Sequence, residues 1–199
     1  MPPSTKLPDA SGPAPAEKAP APPPAYGAAS MVDLVDIIDF KQCEVLNATG
    51  SSSVGNAAKQ GLRDQEALLC ESDADEQLLL TINFTSKTKI HSIEVNGPDD
   101  GRAPRTVKLF ANRIGLDFAD AESMEAEQTL ELEPEALGQR LDLRFVKFQS
   151  VDRLTVFIGD NQGETESTAL SALRFWGAPL ASTNMGEFKR VAGEKGEGE

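Results

Sequence analysis

Between about Gln77 and Gly177, apolar residues alternate with polar ones, and turn-forming residues interrupt the alternation at short intervals. In the clearest stretch, the apolar side chains of Leu78, Leu80, Ile82 and Phe84 share one side, while Thr81 and Asn83 share the other. Because strand side chains point alternately to opposite faces, this period of two predicts a sheet with one buried face. Such a chain presents surfaces and loops, which favours a binding or adaptor module over an enzyme.

The alternation predicts several short strands separated by turns. They are expected near residues 77–84, 88–96, 105–112, 127–132, 139–148, 153–159 and 169–177. Glycine-containing turns at 96–101 and 160–163 separate some of them, and this spacing is typical of an antiparallel sandwich or barrel. Within 139–148 the apolar positions change parity between Phe145 and Val146, which predicts a bulge or a strand buried on both faces.

Short helical turns are predicted before the first long strand. Residues 32–39 place Leu34, Ile37 and Ile38 at helical spacing, and residues 54–63 predict a second turn. Both are expected to cover one end of the sandwich. At the end of the last strand, one of the neighbouring aromatic residues, Phe175 or Trp176, is expected to face the core.

Composition divides the chain into three parts. Residues 1–30 hold nine of the 13 prolines, among alanines, and cannot bury enough apolar surface to offset their chain entropy. We therefore expect a disordered tail at 1–30 and a β-sandwich domain at 31–180. After Gly177 and Pro179 the chain becomes polar and glycine-rich again, which predicts a flexible C-terminal tail at 181–199.

The net charge of −13 constrains the choice of partner. The charged residues of 1–30 cancel, so the acidic excess belongs to the rest of the chain. An acidic surface repels phosphate groups, which argues against nucleic acid and anionic membranes and favours basic protein patches. Solubility alone is the alternative explanation of the charge.

Residues with catalytic or metal-binding chemistry are scarce. Cys43 and Cys70 are too far apart for a CxxC motif and are expected to be free, buried thiols, and His91 is the single histidine. We therefore expect no catalytic residue, no metal and no cofactor. The chain shows neither a stretch long enough to span a membrane nor a signal peptide, so we expect a cytoplasmic location, with the nucleus as a further compartment.

The densest carboxylate cluster is the run Glu71-Ser72-Asp73-Ala74-Asp75-Glu76. Its spacing does not match a calcium-binding EF-hand loop, and no glycine stands where that loop turns. We favour a solvated loop that caps the next strand, or a negatively charged contact patch. Asp73, Asp75 and Glu76 are therefore candidate protein-interaction residues.

Several segments resemble, in order, the PITH domain, the C-terminal proteasome-interacting domain of thioredoxin-like proteins. The matching pieces are ESDADEQLLL (71–80), His91-Ser92, Gly97-Pro98, PRTVKLFAN (104–112), Asp117-Phe118, RFVKFQ (144–149), LTVFI (154–158), DNQG (160–163), Thr183-Asn184-Met185 and Phe188-Lys189-Arg190-Val191. The resemblance spans about residues 33–195. It is specific because so many separate segments agree.

The resemblance implies an all-β fold, a jelly-roll β-sandwich similar to galactose-binding-like domains. It also implies docking on the regulatory particle of the 26S proteasome, by a chain that is a monomer outside its complex. Phe188, Lys189 and Arg190 are then a candidate linear docking element. The thioredoxin-like relative carries a CxxC domain before this module, whereas here the Pro/Ala segment takes that place, so reductase activity is not carried over.

Three alternatives stay open at this point. One is a structural component of a cytoskeletal or ciliary assembly, in which the proline-rich segment binds along a surface. Another is a small-ligand module that uses the loops at 96–103 and 159–166, although these loops contain no aromatic ring to stack on a sugar. An enzyme is the least favoured, because strand neighbours such as His91 and Ser92 are expected to point to opposite faces.

Overall fold

The computed structural model describes residues 31–65 and 67–180. The predicted tails at 1–30 and 181–199 lie outside the described residues, and so do Phe188, Lys189 and Arg190. The strands are β1 (Val32–Asp33), β2 (Glu44–Leu46), β3 (Cys70–Glu71), β4 (Leu78–Asn96), β5 (Thr106–Ala111), β6 (Gln128–Glu131), β7 (Arg140–Asp142), β8 (Val151–Ile158), β9 (Ala169–Leu170) and β10 (Ala172–Pro179). The α-helices are α1 (Val54–Ala58) and α2 (Phe118–Ser123), and 3₁₀ turns cover Leu34–Ile37, Pro134–Ala136 and Phe145–Phe148.

Strand β4 organises the sheet because its two halves have different partners. Residues 78–83 pair with β8 and β2, and residues 88–96 pair with β10 and β7. Strand β8 continues to β5 and β6, while β10 continues to β1, all in antiparallel register. Strands β3 and β9 form a separate pair. Pairing between β4 and β8 is interrupted between Asn83 and Thr88, where β4 passes from one layer to the other.

The main core lies between these two layers. Leu80 and Ile82 from the first half of β4 belong to the same buried cluster as Ile93 and Val95 from the second half. The rings of Phe84 and Phe175 meet edge to face, with their centroids 6.1 Å apart. Side chains from both halves of one strand therefore interdigitate, which confirms the predicted all-β sandwich with one buried face per layer.

Helix α2 covers part of the outer face of the β8 layer. Asp117 begins it, because its carboxylate accepts a hydrogen bond from the backbone N–H of Asp120. The helix buries Ala121 in a second apolar cluster with Leu79 and Phe157. Leu79 and Phe157 point away from the main core, so the helix provides the apolar cover that this face of the sheet needs.

Two sequence expectations need correction. The predicted strand at 139–148 is the short β7 followed by the 3₁₀ turn Phe145–Phe148, so the parity change between Phe145 and Val146 lies inside this turn and marks neither a bulge nor a strand buried on both faces. The strands predicted at 77–84 and 88–96 are one strand, β4, with a bend. Helix α2 lies in a segment for which the sequence pattern predicts no helix or strand. The predicted turns at 32–39 and 54–63 are present in shorter form, as Leu34–Ile37 and α1.

Candidate interaction surfaces

The acidic run before β4 forms an ordered loop that is held by Asn47. Asn47 adopts a left-handed backbone conformation with φ of 59°, and its side-chain amide donates to Asp75 Oδ1 at 2.6 Å and to the carbonyl of Gln77 at 2.7 Å. Its side-chain oxygen accepts from the backbone N–H of Ala74. Asp75 Oδ1 also accepts from the N–H of Gln77, so the loop caps the start of β4. Asn47 is a supporting residue that the sequence interpretation missed.

The exposed charges of this loop are only partly neutralised. Arg102 Nη1 donates to Glu71 at 2.5 Å, which pairs the first acid of the run. The side chains of Asp73 and Glu76 make no ion pair within the described part of the chain. Gln77 donates to Glu122 at 2.6 Å, which places an acid of α2 next to the loop. We call Asp73, Asp75, Glu76 and Glu122 the acidic end.

The predicted loops at 96–103 and 159–166 lie against each other. A Cβ atom on Gly163 would meet the Cα of Gly101 at 2.9 Å, and Gly101 has a φ of +90°, so both positions need glycine. Asn161 is fully buried: its side chain donates to the carbonyl of Thr165 at 2.8 Å and accepts from the N–H of the same residue. The DNQG segment (160–163) therefore holds these two loops in place.

A carboxylate fixes the start of β5 in the same region. Asp160 accepts from Arg105 Nη2 at 2.6 Å and from the N–H of Thr106 at 2.7 Å. Burial raises the pKa of Asp160, but the hydrogen bonds from Arg105 and Thr106 outweigh it and hold the pKa below its usual value. Asp160 is thus ionised at neutral pH and joins the two loops to the sheet.

A hollow of about 510 Å³ lies beside the 96–103 loop. Its lining includes Asp64, Asp99, Asp100 and Arg102, together with Leu69 and Pro98. None of its lining residues is aromatic, so it lacks the ring on which a sugar face commonly stacks. Its volume suits a small molecule, while its mixed charges do not single out one class of ligand.

The outer face of the β10 layer carries a bulge that the sequence pattern did not predict. Register shifts between Trp176 and Gly177, and Ile90 and Ile93 are both in the main core. His91 and Ser92, which stand between them, therefore both lie off the core, contrary to the expectation of opposite faces. A Cβ on Gly177 would come within 1.9 Å of the carbonyl oxygen of Lys89, so the bulge depends on glycine.

Arg140 of β7 lies beside this bulge. Its Nε donates to Ser92 Oγ at 2.6 Å, and its guanidinium carbon lies 4.4 Å from the ring centroid of Trp176. His91 Nδ1 lies 3.6 Å from Asp142 Oδ1. Of the two neighbouring aromatics, Phe175 is buried and Trp176 is half-buried, as expected. The sequence pattern does not single out Arg140, because its partners Ser92 in β4 and Trp176 in β10 are far from it along the chain.

The remaining candidate chemistry gives no second site in the described part of the chain. Cys43 and Cys70 are both free thiols, as predicted; Cys70 is buried as expected, whereas Cys43 is only half-buried. The described residues contain no group of three or more His, Cys, Asp or Glu arranged to hold a metal ion. None of the helices in those residues is long and apolar enough to cross a membrane.

Comparison of sequences identifies relatives of this chain. The profile of the PITH domain matches residues 24–193. Thioredoxin-like protein 1 of Schizosaccharomyces pombe is 36% identical over 161 residues, which cover 77% of this chain and 54% of that protein. PITH domain-containing protein 1 of Homo sapiens is 31% identical over 128 residues, which cover 63% of this chain and 60% of that protein. The aligned region thus spans little more than half the length of these relatives.

Comparison of structures finds β-sandwich domains. The family 32 carbohydrate-binding module of Clostridium perfringens NanJ, in complex with galactose, matches with a TM-score of 0.54 and 8% identity, over 73% of this chain and 98% of that one. The C-terminal domain of a Bacteroides fragilis chitobiase matches with a TM-score of 0.50 and 14% identity, over 75% of this chain and 99% of that one. At these identities the comparison establishes the galactose-binding-like jelly roll and nothing about the ligand.

Proposed function

Because this chain belongs to the PITH domain family, we propose that it is a non-enzymatic protein-interaction module that docks on the regulatory particle of the 26S proteasome. The family resemblance supplies the partner, and the acidic end supplies a surface for it. On this proposal the protein acts in the cytoplasm and the nucleus. Phe188, Lys189 and Arg190 remain candidates for a second, linear contact.

The observation that carries the proposal is the rigidity of the acidic end. The side chain of Asn47 donates to Asp75 and Gln77 and accepts from Ala74, so the loop backbone does not lose much conformational freedom when a partner binds. Among the described residues, Asp73 and Glu76 have no ion-pair partner. A cluster of carboxylates on a fixed loop fits a basic patch on a partner and steers its approach.

The geometry around the only histidine supports a non-enzymatic role. Ser92 Oγ accepts a hydrogen bond from Arg140, whose guanidinium is a hydrogen-bond donor with no acceptor atom and cannot serve as a base. His91 faces the carboxylate of Asp142 rather than a nucleophile. The bulge therefore brings His91 and Ser92 to one side of the sheet without arranging them as an acid–base pair.

Binding of the full chain to purified regulatory particle tests the proposal. We expect co-sedimentation at micromolar concentration, and we expect the double variant Asp73→Lys/Glu76→Lys to bind at least about tenfold more weakly, because like charges then face the partner. Neither side chain accepts a hydrogen bond in the described structure, so the loop stays intact in this variant.

The matched control is Glu133→Lys/Glu135→Lys, which makes the same change of charge at exposed positions near the turn Pro134–Ala136. This control is expected to bind like the wild type. Absence of binding by the wild type at micromolar concentration would overturn the proposed function. Equal losses in both double variants would assign the effect to net charge and exclude the acidic end as the docking surface.

A further inference from the structure

Arg140 is an exposed side chain whose guanidinium is already held in one position. Ser92 Oγ accepts from its Nε, Met31 Sδ lies 3.6 Å from its Nη2, and its guanidinium carbon lies 4.4 Å from the ring centroid of Trp176. Long cationic side chains on a surface usually lose several rotamers when they bind a partner. Here the fold has fixed these rotamers beforehand, so a partner group meets a preorganised cation.

Arg140 also lacks the partner that most arginines of this chain have. Arg102, Arg105 and Arg174 each contact two carboxylates. Within the described residues, no carboxylate lies within ion-pair distance of Arg140, although the chain has 32 acidic residues against 19 basic ones. The nearest acid along β7, Asp142, contacts His91 instead.

The surroundings of Arg140 add positive charge and apolar surface. Arg144 and Lys147 follow Arg140 in the segment 140–147, which contains a single acid. Val146 is 82% exposed in the same segment, and Val32, beside Trp176 and Gly177 in the sheet, is 52% exposed. The indole N–H of Trp176 has no acceptor. We call Arg140, Trp176 and these neighbouring residues the Arg140 platform.

We propose that Arg140, stacked on Trp176, anchors an acidic peptide segment of a partner protein. An aspartate or glutamate carboxylate would accept from the outer N–H groups of the guanidinium, and an adjacent apolar residue would contact Val146 or Val32. This second surface has the opposite charge preference to the acidic end. Its partner is therefore a different protein, or a different part of the same assembly.

The single tryptophan of the chain gives a direct reporter of this site. We would titrate the full ¹⁵N-labelled chain with the blocked peptide Glu-Asp-Glu-Leu-Asp-Glu and follow the indole N–H resonance of Trp176. We expect a saturable shift that weakens with salt. The matched peptide Gln-Asn-Gln-Leu-Asn-Gln has the same shape without charge and is expected to produce no saturable shift.

Variants of Arg140 test whether its guanidinium binds the acidic peptide. Arg140→Gln is expected to weaken the acidic peptide at least about tenfold, because a charge-assisted fork is lost. Arg140→Lys keeps the charge without the planar fork and is expected to give a smaller loss. Arg113→Gln, which removes an arginine that pairs with Glu127 elsewhere, is the control and is expected to bind like the wild type.

Two results would overturn the inference. Unchanged affinity in Arg140→Gln, with the thermal unfolding midpoint also unchanged, would mean that the acidic peptide binds elsewhere. Equal binding of the amide peptide would mean that the carboxylate is not what the platform recognises. Neither result depends on the proteasome, so the proposed function can fail or stand separately.

Discussion

Among single residues, Arg63 is the most constrained cation of the described structure. Its side chain is only 5% exposed, and one nitrogen, Nη1, donates to Asp33 at 2.7 Å. Its Nε and Nη2 are buried without an acceptor. A buried cation with one carboxylate depends strongly on that carboxylate, because removal of the partner leaves an uncompensated charge.

We therefore predict that Asp33→Asn lowers the free energy of unfolding by about 2–3 kcal/mol, less than for a fully buried pair because Asp33 is partly exposed. The amide oxygen of asparagine still accepts from the N–H of Val35, so the cap of the Leu34–Ile37 turn is kept. Urea unfolding measures the change. Asp36→Asn, at an exposed position in the same turn, is the control, with an expected change within about 0.5 kcal/mol. Similar losses in both variants would contradict the role of the ion pair.

The thiol of Cys70 is predicted to be inert in the folded protein. Burial raises its pKa from 9.0 to about 12, so almost no thiolate is present at pH 8. Cys43→Ser should react with a thiol reagent only as fast as it unfolds, while Cys70→Ser should react slowly through half-buried Cys43. Mass spectrometry after timed alkylation distinguishes them. Modification of Cys70 at the rate of the unfolded chain would contradict the prediction.

The raised pKa of Cys70 also predicts how the stability of the folded protein changes at alkaline pH. The folded state holds the neutral thiol of Cys70, so its contribution to stability is fully present below pH 9. That contribution is lost as the pH rises from 9 towards 12, because the unfolded chain then gains thiolate that the folded chain cannot form.

At the scale of elements, the bulge in β4 at His91, opposite Trp176 and Gly177 of β10, decides what the outer face of this layer presents. Gly177 permits the close approach of β10 to Lys89 and so brings His91 and Ser92 to the same side. Ser92 and Trp176, which Arg140 contacts, are direct cross-strand partners on the regular side of the bulge. The bulge therefore determines the placement of His91, next to these contacts.

Gly177→Ala is predicted to lower the free energy of unfolding by at least about 3 kcal/mol, because the added methyl group would overlap a backbone carbonyl that cannot move aside. Gly50→Ala is the matched control, since a Cβ at Gly50 meets nothing within 4 Å. Its change is expected to stay within about 0.5–1 kcal/mol. Chemical unfolding of both variants checks the difference, and equal stability would contradict the account of the bulge.

Elements also show where sequence reasoning works. Alternation predicted β5, β6, β8 and β10 because each has one face in the core. The alternation predicted two strands where the structure has the single strand β4, because a bend within a strand and a turn between two strands interrupt the alternation in the same way. It missed the bulge, because Gly177 and its contact at Lys89 are far apart in sequence. The density of carboxylates along the sequence identified the acidic loop, whereas Asn47 and Arg140 emerged only from the fold.

At the scale of the whole molecule, the acidic end and the Arg140 platform belong to different parts of the sandwich. The acidic end precedes the first half of β4, while the platform lies on its second half. Binding at the acidic end should weaken as salt rises from 50 to 300 mM, mainly through slower association, because exposed charges are screened over about 10 Å at 0.1 M salt. Stopped-flow association at several salt concentrations tests this prediction. A rate independent of salt would contradict electrostatic steering.

The length of strand β4 has a consequence for how the protein unfolds. Since its 19 residues supply the central pairing of both layers, neither layer can lose its order while the other keeps its hydrogen-bond ladder. Amide hydrogens on both halves of β4 should therefore exchange with deuterium through one shared global opening, with equal free energies in native-state exchange. A mutation in either layer then changes the stability of the entire sandwich. A partner bound to one surface slows the opening of the opposite one.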